Sequence, residues 1–336
     1  MTLGRAVDSI AAQQAPTATS PAPGAGRSTA PSRTTAARRR ARSRAAVRAA
    51  ALREAIEPRF KLDDSGSVVP DLRAEAAIIY NPENGQVLWE SNSNARRSIA
   101  SITKVMTAVV FLEDRPDVTR EVVVERADVR AASTTYLRSG YKVTTGDLLH
   151  LLLIGSDNAA ARVLARVSAF GSTGFIERMN QKAVELGLGN TSYVDPSGLL
   201  SDNTSSAYDQ ARLITYVSGD ERITGIMRMA EYTMSAGRRQ ITVRSTNQLV
   251  RTGDVDVQAG KTGFIRNAGY CLASLLRLPQ GGPDVAVVVL GAKSNSGRFW
   301  ETRHLFNWIS TKAQDWFGPG GSTQTVGQPV VAPASN

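Results

Sequence analysis

The chain is poor in the residues on which many small folds and metal sites depend. Cysteine occurs once in 336 residues, as Cys271, and histidine only as His150 and His304. A single cysteine excludes an internal disulfide framework, and so few Cys and His side chains cannot assemble a zinc cluster. No metal or other cofactor is expected. No apolar run reaches the ~18 residues of a membrane span. The compact apolar stretch of ~7–15 residues that marks a secretory signal is missing too. Its best candidate, Ala45–Ile56, is broken by Arg48 and Arg53. An exported form would carry its signal upstream or in an atypical form. The first 60 residues contain no Lys, yet they hold eleven Arg against three acids.

That last imbalance decides how the overall charge is read. The net charge of +10 resides mostly in residues 1–60, at +8, and residues 61–336 carry only +2. A strongly basic chain suggests nucleic acid or an anionic surface as partner. Here any weak polyanion contact belongs to the N-terminal tail, and the near-neutral remainder offers no motif for reading bases. Residues 1–60 read as a basic Ala/Pro/Arg-rich tail or processed segment. Residues 1 to about 40 are expected to be disordered, because Pro, Ser, Thr and Gln bury too little apolar surface to offset chain entropy. Residues 41–57 have high helix propensity. Residues 61–316 read as the folded domain, and 317–336 as a flexible polar tail without an amphipathic anchor.

Within the folded part, Ala76–Tyr80 and Gln86–Glu90 flank an Asn84-Gly85 turn and predict a hairpin. Ser101–Leu112 places Ile102, Val105, Met106, Val109 and Leu112 at helical spacing. Short strands are expected over 119–130. Leu148–Ile154, Ala159–Val167, Ser172–Leu186 and Ala207–Val217 read as helices, and Asn190–Leu199 as turn-rich. From about residue 231 the period shifts toward two, with strands at Gln240–Val243, Val255–Lys261, Tyr270–Leu278 and Asp284–Leu290. An amphipathic helix over 297–317 follows. Strands thus begin and end the domain around a helical block. The first hairpin must pair with the late strands. The fold class is α+β (α/β layered), helices packed on an antiparallel sheet.

Three short motifs occur in order: Ser101-Ile102-Thr103-Lys104, Ser156-Asp157-Asn158 and Lys261-Thr262-Gly263. They match the S-x-x-K, S-D-N, K-T-G set of serine acyl-transfer enzymes. Each alone is weak, and Ser139-Gly140-Tyr141-Lys142, Ser201-Asp202-Asn203 and Arg251-Thr252-Gly253 mimic them. Context separates the two sets. Ser101 opens an apolar helix, Ser156 sits in a turn between two apolar helices, and Lys261 ends a strand.

The chemistry accounts for these residue types. A serine hydroxyl needs a base to take its proton. Residues i and i+3 share a helix face, so Lys104 can reach Ser101. Lys104 acts as a base only if burial and the neighbouring cation Lys261 lower its pKa. Ser156 is placed to relay a proton to a leaving amine. Asn158 can hold Lys104 and a substrate amide. Lys261 and Thr262 can bind a carboxylate, and Gly263 lets backbone approach closely.

At these residues the sequence resembles the low-molecular-weight penicillin-binding proteins, the D-alanyl-D-alanine peptidases, from about Ala76 to Ile309. The resemblance is strongest in Ser98–Val109, Leu153–Ala160, Leu186–Leu199 and Gly260–Leu272. It implies a β-lactamase/transpeptidase-like fold, a periplasmic location and covalent inhibition by β-lactam antibiotics. It also implies action on peptidoglycan stem peptides. By resemblance Ser101 is the nucleophile, Lys104 the base, and Ser156 and Asn158 the relay and amide contact. Lys261, Thr262, Gly263, Phe264 and Arg298 form the substrate-binding set, with the backbone N–H groups of Ser101 and Phe264 as oxyanion hole. Within the group the chain looks most like the D-alanyl-D-alanine endopeptidases, sometimes called penicillin-binding protein 7. Phe264 follows the K-T-G where carboxypeptidases often have His, and Thr246 stands where several carry Arg. The chain also stops soon after its last helix, where membrane-attached carboxypeptidases add a β-domain and an anchor. The rivals are a D-alanyl-D-alanine carboxypeptidase, a β-lactamase and a non-catalytic envelope or polyanion-binding protein. A β-lactamase would need a water-activating acid, and segment 190–204 offers only Asp195 and Asp202. His150 and Cys271 read as core residues, and His304 has no evident partner.

Overall fold

The computed structural model describes residues 33–237, 239–313 and 317. The chain divides into two units, Met1–Leu52 and Arg53–Asn336. Helix α1 (Arg33–Ile56) runs through the described part of the first unit and ends in the second. It starts earlier than the sequence predicts, replacing expected disorder over 33–40. No proline interrupts the chain between Arg33 and Glu57, and Ala and Arg are strong helix formers. The rest of the expected disordered segment, residues 1–32, lies outside the described residues. So does the proposed C-terminal tail beyond residue 317.

The second unit is organised by a five-stranded antiparallel sheet. Its strands are β1 (Ala76–Tyr80), β2 (Val87–Ser91), β3 (Asp256–Ile265), β4 (Gly269–Arg277) and β5 (Asp284–Ala292). Their order is β3-β4-β5-β1-β2, so the first hairpin does pair with the late strands, Ile78 opposite Val288. Strand β3 is an edge, and it runs through the K-T-G residues to Ile265 rather than ending at Lys261. Gln240–Val243 is extended as expected but lies outside this sheet, in a ribbon of Glu231–Ala236 and Arg239–Arg244.

Alternation along the strands builds a core on each face. Ile78, Ala273, Leu275, Ala286 and Val288 face the helical block. Ile79, Leu272, Leu276, Val285, Val287 and Val289 face the last helix, with Phe299, Leu305 and Ile309. Because both faces are covered, β5 reads as one continuous apolar run. Each fully buried Val, Leu or Ile side chain contributes roughly 1.5–3 kcal/mol. The longer helices are α2 (Lys104–Leu112), α3 (Thr145–Leu153), α4 (Asn158–Val167), α5 (Gly171–Glu185), α6 (Ala207–Tyr216), α7 (Glu221–Met227) and α8 (Asn295–Thr311). Residues 119–130 hold one short strand, Glu121–Val123, then a single helical turn, Arg126–Val129. Glu125 and Asp128 supply a capping box that starts that turn. Among the described residues no helix is long and apolar enough to cross a membrane.

Candidate active site

Ser101 lies in a 3-10 turn, Ala100–Thr103, and α2 begins only at Lys104. The turn is tighter than an α-helix, but i and i+3 still meet. Lys104 Nζ is 2.9 Å from Ser101 Oγ. The ammonium also donates to Asn158 Oδ1 at 2.7 Å and to the Ser197 carbonyl at 2.5 Å. Asn158 opens α4 and is pinned in turn, its amide donating to the Ala132 carbonyl at 2.7 Å. The cap of α4 is Asp157, which accepts from the Ala160 N–H at 2.9 Å. Ser156 is therefore spared from capping, and its hydroxyl accepts from Lys261 Nζ at 2.8 Å.

Backbone strain gathers at this spot. Ala100, Ala131, Ser133 and Ser156 all have φ between 49° and 60°. Such a conformation costs a non-glycine residue about 1–3 kcal/mol, and it persists only where surrounding structure imposes it. Gly263 on β3 packs against the turn that presents Ser101. A Cβ there would lie 2.6 Å from the Ile99 carbonyl oxygen. The K-T-G glycine is thus a requirement of close approach, as its type suggests.

Thr262 shares a 2.6 Å hydrogen bond with Thr246. Phe264 is 49% exposed, and its ring stacks on Tyr270 at 4.2 Å. Arg298 is placed differently from the other substrate-binding candidates. Its buried guanidinium donates to the carbonyls of Gly263 and Cys271 at 2.9 and 3.2 Å. It therefore braces the backbone of β3 and β4 from behind. Burial lowers its pKa to about 10.

Two lysines are buried within one site, Lys104 at 0% and Lys261 at 1% exposure. Burial lowers the pKa of Lys104 to about 7, while Asp195 and Asp157 pull it upward and Arg162 pushes it down. The expected push from Lys261 falls the other way. Lys261 is depressed well below the ordinary lysine value, first by burial and then by the charges of Lys104 and Arg298. Burial raises the Asp157 carboxyl, against hydrogen bonds from Ala160, Tyr136 and Thr135. For Asp195 burial also opposes ionisation, but donors from Ser197, Leu200 and Asn203 more than offset it, and its pKa is lowered.

Sequence reasoning missed the Asp195–Gly198 turn as a functional part. Asp195 accepts from the Ser197 and Gly198 N–H groups at 2.7 and 2.9 Å, which aims the Ser197 carbonyl at Lys104. Gly198 has φ +74°, and a Cβ there would sit 1.9 Å from the Ala100 oxygen. Asp-Pro-Ser-Gly is a legible turn signal, but its partner lies 93 positions away. Asn203, from the second Ser-Asp-Asn, donates to Asp195 at 2.6 Å and holds this turn from outside the site. His304 does have a partner, the Arg59 carbonyl at 2.8 Å. His150 is half-buried, bonds Gly146 O at 2.8 Å and stacks on Tyr232.

The family model for D-alanyl-D-alanine carboxypeptidase matches residues 64–294. The D-alanyl-D-alanine endopeptidase of Haemophilus influenzae is 32% identical over 227 residues, 67% of this chain and 78% of that protein. A D-alanyl-D-alanine carboxypeptidase of Bacillus subtilis is also 32% identical, over 67% of this chain and 59% of its own length. The crystal structure of the Streptomyces K15 DD-transpeptidase superposes with TM-score 0.67 at 28% identity, covering 71% of this chain and 97% of that one. The fold is that of the DD-transpeptidases and penicillin-binding proteins, and the chain belongs to the D-alanyl-D-alanine carboxypeptidase family of serine peptidases.

Proposed function

We propose that residues 61–316 form a serine DD-peptidase acting on peptidoglycan stem peptides in the periplasm. Its reaction is cleavage of D-Ala–diaminopimelate cross-links through an acyl-serine. The observation that carries this reading is the set of three oxygens around Lys104 Nζ. Asn158 Oδ1 and the Ser197 carbonyl take two N–H bonds of a neutral amine. The remaining lone pair then points at Ser101 Oγ, 2.9 Å away. A pKa lowered to about 7 makes the neutral amine available near neutral pH.

Ser101 Oγ attacks the D-alanyl carbonyl carbon while its proton passes to Lys104. The oxyanion is received by the backbone N–H groups of Ser101 and Phe264. Collapse breaks the C–N bond, and the proton held by Lys104 passes through the Ser156 hydroxyl, bonded to Lys261, to the departing amine, leaving Lys104 neutral again. Lys261 and Thr262 hold the carboxylate of the leaving residue, Gly263 keeps β3 against Ser101, and Arg298 braces the strand. Water then attacks the acyl carbonyl carbon and gives a proton to Lys104, which returns it to Ser101 Oγ as the ester bond breaks and the carboxylic acid leaves. β-Lactams enter the same path and acylate Ser101. Ser101→Ala is expected to abolish covalent labelling by fluorescent penicillin, and labelling that survives the substitution would overturn the assignment.

The B. subtilis relative keeps carboxypeptidase activity as the second reading. Mass spectrometry of digested sacculi separates the two. Loss of cross-linked dimers supports the endopeptidase, and loss of pentapeptide alone supports the carboxypeptidase.

A further inference from the structure

Beyond the reacting atoms, the site has an apolar feature that acyl transfer does not use. Phe264 follows Gly263 on the edge strand and is 49% exposed. That exposure leaves roughly 100 Å² of ring surface uncovered, from the ~200 Å² such a side chain presents. The ring is not loose. It stacks on Tyr270, its direct cross-strand partner, with planes inclined by 22°. The Arg298 guanidinium lies 5.6 Å from the Tyr270 ring centroid. The same guanidinium bonds the carbonyls of Gly263 and Cys271, the residues adjoining the stacked pair. Phe264 and Tyr270 are thus held as one rigid aromatic surface.

Strand alternation places that surface. Residues i and i+2 share a strand face, about 6.6 Å apart. Phe264 therefore lies on the face of Thr262, one step further along β3. If Thr262 receives the carboxylate of the leaving residue, Phe264 meets that residue's side chain. For a terminal D-alanine this side chain is a methyl, too short to cover the ring. A cross-linked diamino acid carries an extended methylene chain that can lie across it.

We propose that Phe264 and Tyr270 form an aromatic ledge that selects a leaving residue with an extended aliphatic side chain over one with a methyl. The ledge deepens the peptidase reading above and rests on it. It acts on leaving-group preference and supplies no proton transfer.

The test compares kcat/KM for a purified cross-linked muropeptide dimer with kcat/KM for the monomeric pentapeptide. The proteins are the wild type, Phe264→Ala, Phe264→Trp and Tyr270→Leu, each checked for folding by thermal melting. Phe264→Ala is expected to lower the dimer-to-pentapeptide ratio about tenfold, the low end of what apolar contacts of this kind discriminate. Tyr270→Leu should shift the ratio the same way by unseating the ring, and Phe264→Trp should preserve it. A ratio unchanged within about twofold in Phe264→Ala overturns the ledge. So does a wild type that trims pentapeptide but leaves the dimer uncut. A wild type that takes no fluorescent penicillin sinks the peptidase reading and the ledge with it, whereas normal labelling with an unchanged ratio sinks the ledge alone.

Discussion

Lys104 sits at 0% exposure with three acceptors and no carboxylate bonded to it. Removing an ammonium from water without a paired anion disfavours its charged form, which is why burial leads the causes of its shift. The consequence for pH follows directly. The base must be neutral to accept the Ser101 proton, so below about 7 the competent fraction falls as Lys104 protonates. Acylation by penicillin should therefore fall about tenfold per pH unit below that point and level off above it, measured by stopped-flow or rapid-quench labelling. In Lys104→Arg the guanidinium cannot deprotonate. That variant should lose about 10²–10⁴-fold in acylation rate and show no plateau, since proton transfer of this kind contributes about that much.

At the scale of elements, the site exists because three segments distant in sequence are forced into contact. The 3-10 turn carrying Ser101 is wedged between β3 and the Asp195–Gly198 turn, with glycine at both points of closest approach. Gly198→Ala would add a Cβ at φ +74°, 1.9 Å from the Ala100 oxygen. It should destabilise the domain by at least about 2 kcal/mol, read as a lowered Tm. The labelling rate should fall as well, because the Ser197 carbonyl that orients Lys104 is carried by the same turn. A variant with unchanged Tm and labelling would mean that the turn relaxes freely. Periodicity showed the helix after Ser101 clearly, but not that its first turn is 3-10. That tightening comes from the strand and loop packed against it.

On the scale of the whole molecule, charge and chemistry occupy different units. Every candidate site residue lies after Arg53, and α1 carries Arg38, Arg39, Arg40, Arg42 and Arg44 on exposed positions. Arginines distributed along a helix suit counterion release on a polyanion. Deleting residues 1–52 should leave the rate of penicillin labelling unchanged. The same deletion should remove salt-sensitive retention on an anionic polymer column. Retention that survives the deletion would move the polyanion contact to the near-neutral domain.

Local chemistry determined much of this protein on its own. Alternation and turn residues marked β1, β2, β4 and β5 to within a few residues. The three motifs picked out Ser101, Lys104, Ser156, Asn158, Lys261 and Thr262; in the fold Lys104 bonds Ser101 and Asn158, Lys261 bonds Ser156, and Thr262 bonds Thr246 from outside the motifs. Those signals are short-range, and backbone geometry expresses them directly. Tertiary structure decided the rest. It supplied the Ser197 carbonyl, whose contact with Lys104 leaves no trace in residue type. It placed Arg298, a substrate-binding candidate, as a buried brace on the Gly263 and Cys271 carbonyls, and it assigned the electrostatic push of the lysine pair to Lys261. Each of these depends on burial and on contacts between distant segments, and desolvation is a property of the packed molecule rather than of any segment within it.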